Sequence, residues 1–200
     1  MKIIKYVLIP VIILLTTSCY NYLEVNEIAI VEGLSIDYID NNYQVILEIV
    51  DIKSDNENSY LIESSSTSLN DAFENINKLS SKKISMSHLE TIIISKEILK
   101  NHIDEISNYF INNKDITTNF YLVIANNPKD ILNNSNNNYP INTKTITDIL
   151  SKDNSNKYRF DYIYTLIKNN KEFEIPIVSI DNNNIKIDKD LLMYEKWYCN

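Results

Sequence analysis

The sequence predicts an α+β fold, a mixed β-sheet with packed amphipathic helices, behind an N-terminal lipoprotein signal peptide. Three observations predict it. Near each end of the globular part lie two apolar segments joined by an Asp/Asn-rich turn, each pair able to close as a hairpin. Between the two pairs, β-branched runs are interspersed with segments whose apolar residues recur at helical spacing. Ahead of both, a short apolar run ends at a cysteine.

The N-terminal segment comes first. Lys2 and Lys5 precede the apolar run 6–15, and no acid appears before Glu24. Thr16-Thr17-Ser18 then supplies small residues, completing the basic, apolar and cleavage regions of a secretory signal. Cys19 directly after them turns the reading into a bacterial lipoprotein signal: the thiol is acylated and the peptide is cut before it. The run is about half the ~20 apolar residues that a membrane-spanning helix needs, and it contains Pro10. Thr16 stands three places before the cysteine, where leucine is usual. The expected division is therefore a signal peptide at 1–18 and one domain at 19–200.

Residues 28–39 and 43–52 read as two strands joined at Asp40-Asn41-Asn42. In the second, Tyr43, Val45, Leu47 and Ile49 alternate against Gln44, Ile46 and Glu48. A polar stretch at 54–59 leads to a third strand near 60–64. Ser68 can cap a helix and Asp71 favours the positive end of its dipole; Leu69, Ala72, Phe73, Ile76 and Leu79 make its apolar face. Residues 91–95 form a β-branched buried strand, and Ile103, Ile106 and Phe110 mark a second amphipathic helix. Residues 117–125 read as a strand with Phe120, Leu122 and Ile124 on one face. Asn127 caps a short helix with Pro128 at its first position, and 133–139 is a surface loop. Ile146, Ile149 and Leu150 mark one further helix; Phe160, Ile163, Tyr164 and Ile167 mark another. Segments 173–180 and 185–192 close the chain as strands joined through 181–184.

Composition narrows the chemistry. Loss of residues 1–18 leaves 182 of the 200 residues, ample for a core, and takes the formal charge from −8 to −10 with Lys2 and Lys5. Such a chain is repelled by phosphate backbones, so no nucleic-acid partner is expected. It also needs lipid to hold it on an anionic membrane. Cys199 is the one other cysteine and, with Cys19 acylated, is a free thiol. The single glycine, against about 14 in a typical domain of this length, rules out the phosphate-binding P-loop, the dinucleotide fingerprint and the G-x-S-x-G nucleophile elbow. Asparagine takes over the turns, since it tolerates the left-handed region better than other non-glycine residues.

Few residues invite chemistry. Gly33 inside a strand signals a bulge or a close backbone approach. Asp37, ahead of a turn, is expected to bond local backbone. His88 is placed near the start of a buried strand with Glu90 on the same side, and is read as satisfying buried backbone groups rather than as a ligand. His102 lies at a helix start with no partner in sequence. No metal spacing exists, so no metal, cofactor or catalytic residue is assigned. Tyr158, Tyr162 and Tyr164 crowd one helix as half-exposed packing, with a contact surface as the other reading.

Three stretches carry a family resemblance. The first is Cys19-Tyr20-Asn21 followed by Glu27-Ile28-Ala29-Ile30-Val31-Glu32-Gly33-Leu34-Ser35-Ile36-Asp37. The second is Ser87-His88-Leu89-Glu90-Thr91-Ile92-Ile93-Ile94-Ser95-Lys96-Glu97. The third runs from Tyr109-Phe110 through Asp115-Ile116 to Leu122-Val123-Ile124-Ala125 and Ile131-Leu132. Together, over roughly residues 1–195, they resemble the N-terminal part of the Ger(x)C family, the lipoprotein C subunits of spore germinant receptors. Tyr20 and Asn21 replace the family's Trp and Asp, Ser35 stands where a second Gly is common, and both arginines of an Arg-Asp-Pro-Glu-Ile-Arg stretch are missing. Glu27, Gly33, Asp37, His88 and Glu97 match the family motif and are read as structural.

The resemblance implies a non-enzymatic subunit, lipid-anchored through Cys19 on the extracytoplasmic face of the spore inner membrane. Its partners would be the two integral membrane subunits, of A and B type, of a nutrient germinant receptor. Family members carry a further C-terminal region that does not follow here, so a truncated or frameshifted copy is also expected as a reading. A lipid-anchored solute-binding protein and an extracytoplasmic enzyme are the rivals from other classes.

Overall fold

The computed structural model describes residues 27–51, 58–134, 140–152 and 156–194. The signal peptide, Cys19, Cys199, the loop at 135–139 and most of the polar stretch 54–59 lie outside the described residues.

Eight strands form one mixed sheet. β1 (Ile28–Ile39) and β2 (Asn42–Asp51) are an antiparallel hairpin, and β3 (Asn58–Ser66) extends it at the edge. On the other side of β1 come β5 (Thr91–Ser95), β6 (Tyr121–Ala125) and β7 (Phe173–Asp181), all parallel to it. β8 (Asn184–Tyr194) returns antiparallel to β7, so the order is β3-β2-β1-β5-β6-β7-β8. The three-residue β4 (Lys83–Ser85) pairs in parallel with the first residues of β1. The expected α+β fold with hairpins at both ends is thus observed, with a parallel centre that requires the helical crossovers between β5, β6 and β7.

Helices cover both faces. α1 (Leu69–Leu79), α2 (Ile103–Asn112) and α5 (Phe160–Lys168) pack Phe73, Phe110 and Phe160 onto Leu47, Ile92 and Leu122. α3 (Pro128–Leu132) and α4 (Asn142–Lys152) pack Leu132 and Ile146 onto Ile46, Ile93 and Val123 on the opposite face. The alternation Ile92/Ile93/Ile94 therefore buries every residue of β5, whose neighbours lie on both sides.

Asparagine does replace glycine in the turns. The two hairpins turn at Asp40-Asn41 (φ 51° and 62°) and Asn182-Asn183 (φ 50° and 61°), the left-handed pair that a tight twisted hairpin requires. Asn170 (φ 50°) ends α5 in the same region, with Lys171 N–H donating to the Leu166 carbonyl at 2.9 Å. Pro176, which has no N–H to give, lies where the β7–β8 register shifts between Ile175 and Ile177.

Four local expectations change. Leu79, assigned to the apolar face of α1, is 65% exposed, because that face ends at Ile76 one turn earlier. The strand expected from 117 begins at Tyr121; Phe120 still packs with Leu122 and Ile124. Ser68 caps α1 through Asp71 N–H (3.1 Å), whereas the Asn127 side chain donates to the Asp130 carboxylate (2.7 Å) instead of capping α3. His88 lies on an exposed turn before β5, not in a buried strand.

Candidate functional site

The lone glycine organises the centre of the sheet. β1 bulges between Val31 and Gly33, which shifts its phase: Ala29 and Val31 face the first core, and so do Leu34 and Ile36. Gly33 is paired with Glu48 on β2. A Cβ on Gly33 would lie 2.3 Å from Thr143 Cβ, so only glycine lets the first turn of α4 come this close. Both readings of Gly33, bulge and close approach, are realised together.

That approach delivers α4 to a buried carboxylate. Glu48 is fully buried. Asn142 N–H donates to its Oε1 at 2.9 Å, and Thr143 N–H and Oγ1–H donate to Oε2 at 2.8 and 2.6 Å. Ser59 Oγ–H adds a bond to Oε1 at 3.1 Å. The free N–H groups and positive dipole end of a helix suit such an anion, so Glu48 caps α4 from a strand 94 residues away. Sequence reasoning placed Glu48 on a polar strand face. The available signal was Ile46 on that same face, which marks it as covered.

Beside the bulge, Glu32 lies beneath α4. Its carboxyl is pushed up to about 7, first by burial and then by the charge of Glu90, with Glu48 and Asp148 adding and Lys144 opposing. Glu90 N–H donates to the Glu32 carbonyl at 2.8 Å, and Tyr121 N–H donates to the Glu90 carbonyl at 2.8 Å. Next to Glu90 opens a cleft of about 330 Å³ lined by His88, Thr117, Asn119, Tyr121 and Arg159 among others.

A second cluster sits at the far end of the β1–β2 hairpin. Tyr43 Oη–H donates to a Glu105 carboxylate oxygen and lies 2.9 Å from His102 Nδ1. The Tyr38 ring stacks on His102 with centroids 4.0 Å apart. Burial and the Glu105 carboxylate both raise the Tyr43 pKa, so the phenol stays protonated as a donor. His102 was left without a partner by sequence reasoning, because the Tyr43 hydroxyl and Tyr38 ring that meet it come from about 60 positions away, while Glu105, three residues on, lies 3.9 Å from its Nδ1.

The remaining motif residues are dispersed. Glu27 is exposed just before β1. Asp37 accepts the Tyr38 N–H at 2.7 Å, the local backbone bond expected of it. Glu97 accepts from Asn101 Nδ2 at 2.6 Å on the one-turn π-helix Ile98–His102. Tyr162 is 49% exposed while Tyr158 is buried. Among the described residues, no group of three or more His, Cys, Asp and Glu side chains could hold a metal ion, and no described helix is long and apolar enough to cross a membrane.

The family of the spore germination protein N-terminal domain matches residues 21–180. Comparisons with curated proteins and with solved structures gave no match. The matched span covers β1 through most of β7 and so includes the Gly33–Glu48–Thr143 junction, the Glu90 cleft and the Tyr43 cluster. With four fifths of its length inside that family, the chain belongs to the spore germination protein N-terminal domain family.

Proposed function

We propose that this chain is the lipid-anchored C-type subunit of a nutrient germinant receptor, with a non-enzymatic role in receptor assembly and signalling. Its part in germination follows from the family. The observation that carries the finer reading is positional: Cys19, at the end of the signal-like segment, stands two residues before the matched span begins. A thiol acylated there would hold the domain near the membrane by a tether of eight residues to Glu27, at most about 28 Å when fully extended. The partners in this reading are the A- and B-type integral membrane subunits, on the extracytoplasmic face of the spore inner membrane. One acyl chain anchors only marginally, so the reading calls for diacylation.

Co-purification tests it. The chain, tagged at its C-terminus and extracted from spore membranes in mild detergent, is expected to bring down both polytopic receptor subunits. Recovery with a transporter instead would support a solute-binding role, and recovery without any polytopic partner would remove the receptor reading.

A further inference from the structure

The two edges of the sheet are built differently. β8 carries Lys186 and Asp188, paired at 3.1 Å, and its register with β7 breaks between Ile175 and Ile177. Lysines and irregularities of this kind keep other strands off an edge. β3 has neither. Its register with β2 runs unbroken from Asn58 opposite Asp51 to Ser66 opposite Tyr43, and its nine residues include no lysine, arginine or proline. Its one charge, Glu63, is already paired with Lys129 at 2.7 Å. β2 takes the backbone groups on one side of β3. On the other side, the N–H and C=O groups of 59–66 meet no partner among the described residues. A long, unbroken, nearly uncharged edge of this kind is a template for a further strand.

The side chains of β3 match a second copy of the same strand. Ile62 and Leu61 are half-buried against the two opposite cores, and Tyr60 is 39% exposed. In an antiparallel pair, residues directly opposite share one face of the joined sheet. Pairing centred on Leu61 sets Leu61 against the partner's Leu61. It also sets Tyr60 against the partner's Ile62, once on each side of the axis, an aromatic and β-branched pair of the kind that stabilises sheets. Glu63 then faces the partner's Ser59, and the two Glu63 positions stand four residues apart, about 13 Å, beyond the ~8 Å screening length of physiological salt. Centring on Ile62 would set Leu61 against Glu63, and centring on Glu63 would oppose two like charges. The match about Leu61 uses the same patch on both chains, so the contact closes as a pair. We propose that the chain forms a two-fold homodimer through antiparallel pairing of β3 with β3, which joins two eight-stranded sheets into one. The contact belongs to the domain itself and does not depend on which membrane partner the chain serves.

The test is sedimentation of the detergent-solubilised full chain from about 1 μM to 1 mM, the range of a weak to moderate pair, beside amide hydrogen exchange at both ends of that range. A reversible monomer–dimer equilibrium is expected. Alternate amides between Ser59 and Ser66, those on the outer side of β3, are expected to exchange at least about tenfold more slowly in the dimer, while the amides of β8 stay unchanged. Tyr60→Lys places a lysine on the edge and is expected to weaken the dimer by about tenfold or more. Its thermal unfolding, compared with the parent chain, separates lost pairing from lost fold, and the exchange measurement on the parent needs no variant. The proposal is overturned if the chain stays monomeric throughout, or if a dimer forms without protection of the β3 amides. It is also overturned if folded Tyr60→Lys dimerises like the parent, or if the β3 amides are protected only in a complex with another protein. Those outcomes leave co-purification with receptor subunits untouched.

Discussion

The Cα of Gly33 faces Thr143 so closely that any side chain at position 33 would overlap it: a built Cβ meets Thr143 Cβ and Cγ2 at 2.3 Å and Oγ1 at 2.5 Å. The neighbour is the first turn of α4, held in place by Glu48, and so cannot give way cheaply. Gly33→Ala is therefore expected to destabilise the domain by about 2–4 kcal/mol, at or beyond the upper end of ordinary overpacking. Urea unfolding measures it. A loss under about 0.5 kcal/mol, within the range of neutral surface changes, would show that α4 can retreat without cost.

Glu48→Gln tests the other half of the junction. The amide retains one acceptor oxygen but turns its NH2 toward donors, whether Asn142 N–H or the two Thr143 groups. Leaving buried donors unpaired costs about 1–3 kcal/mol for each group, so a loss of about 2–4 kcal/mol is expected. Thermal unfolding should show it, and hydrogen exchange should rise first at the amides of 142 and 143.

Tyr43→Phe removes the hydroxyl shared between Glu105 and His102 while keeping the buried ring. The expected loss is about 0.5–1.5 kcal/mol, the net worth of a hydrogen bond with somewhat more for a charged partner. Denaturant unfolding of the variant beside Glu105→Gln and the double variant should give less than additive losses, because both changes remove the same bond.

Glu32 sets a pH dependence. Its carboxyl titrates near 7 in the fold, against an ordinary value of 4.5. Between those values the folded chain holds a proton that the unfolded chain has released. This group's contribution to stability is therefore present in full below pH 4.5 and is lost as pH rises to about 7. Glu32→Gln keeps a neutral side chain at all pH, so the difference in unfolding free energy between variant and parent should grow from pH 4.5 to 7 and then level off. A difference that stays flat across that window would contradict the assignment. Glu90, Glu48 and Asp148, which raise the value, and Lys144, which lowers it, are the charges that face Glu32.

Acylation is checked at one atom. Radiolabelled fatty acid should enter the protein, and Cys19→Ala should abolish the label. Unchanged labelling in the variant would remove the anchor from the account.

What could be read in the sequence was what neighbours along the chain decide. β1 at 28–39, the Ser68 cap and the Asn182-Asn183 turn follow from alternation, capping chemistry and backbone sterics within a few residues. Gly33 was legible as a bulge or close approach, but not the helix that approaches it. Glu48 and His102 were misjudged because their partners Thr143 and Tyr43 are 95 and 59 positions away, and the local signals, Ile46 on the face of Glu48 and Glu105 one turn after His102, do not name those partners. His88 was placed in a strand because Ile92-Ile93-Ile94 extends the apolar pattern, while the exposed turn at 87–88 lacks the glycine or proline that commonly signals one. The Arg159 cleft was illegible for the same reason: residues from 88, 90, 119 and 159 meet only after the parallel strands pair.

The central claim is that this chain works as a germinant receptor subunit, and germination itself measures it. Spores with an in-frame deletion, and the genes for the polytopic subunits intact, are expected to germinate more slowly in response to nutrient. The parent chain should restore the rate, and Cys19→Ala should not. Deletion spores that respond at the parental rate would contradict the account.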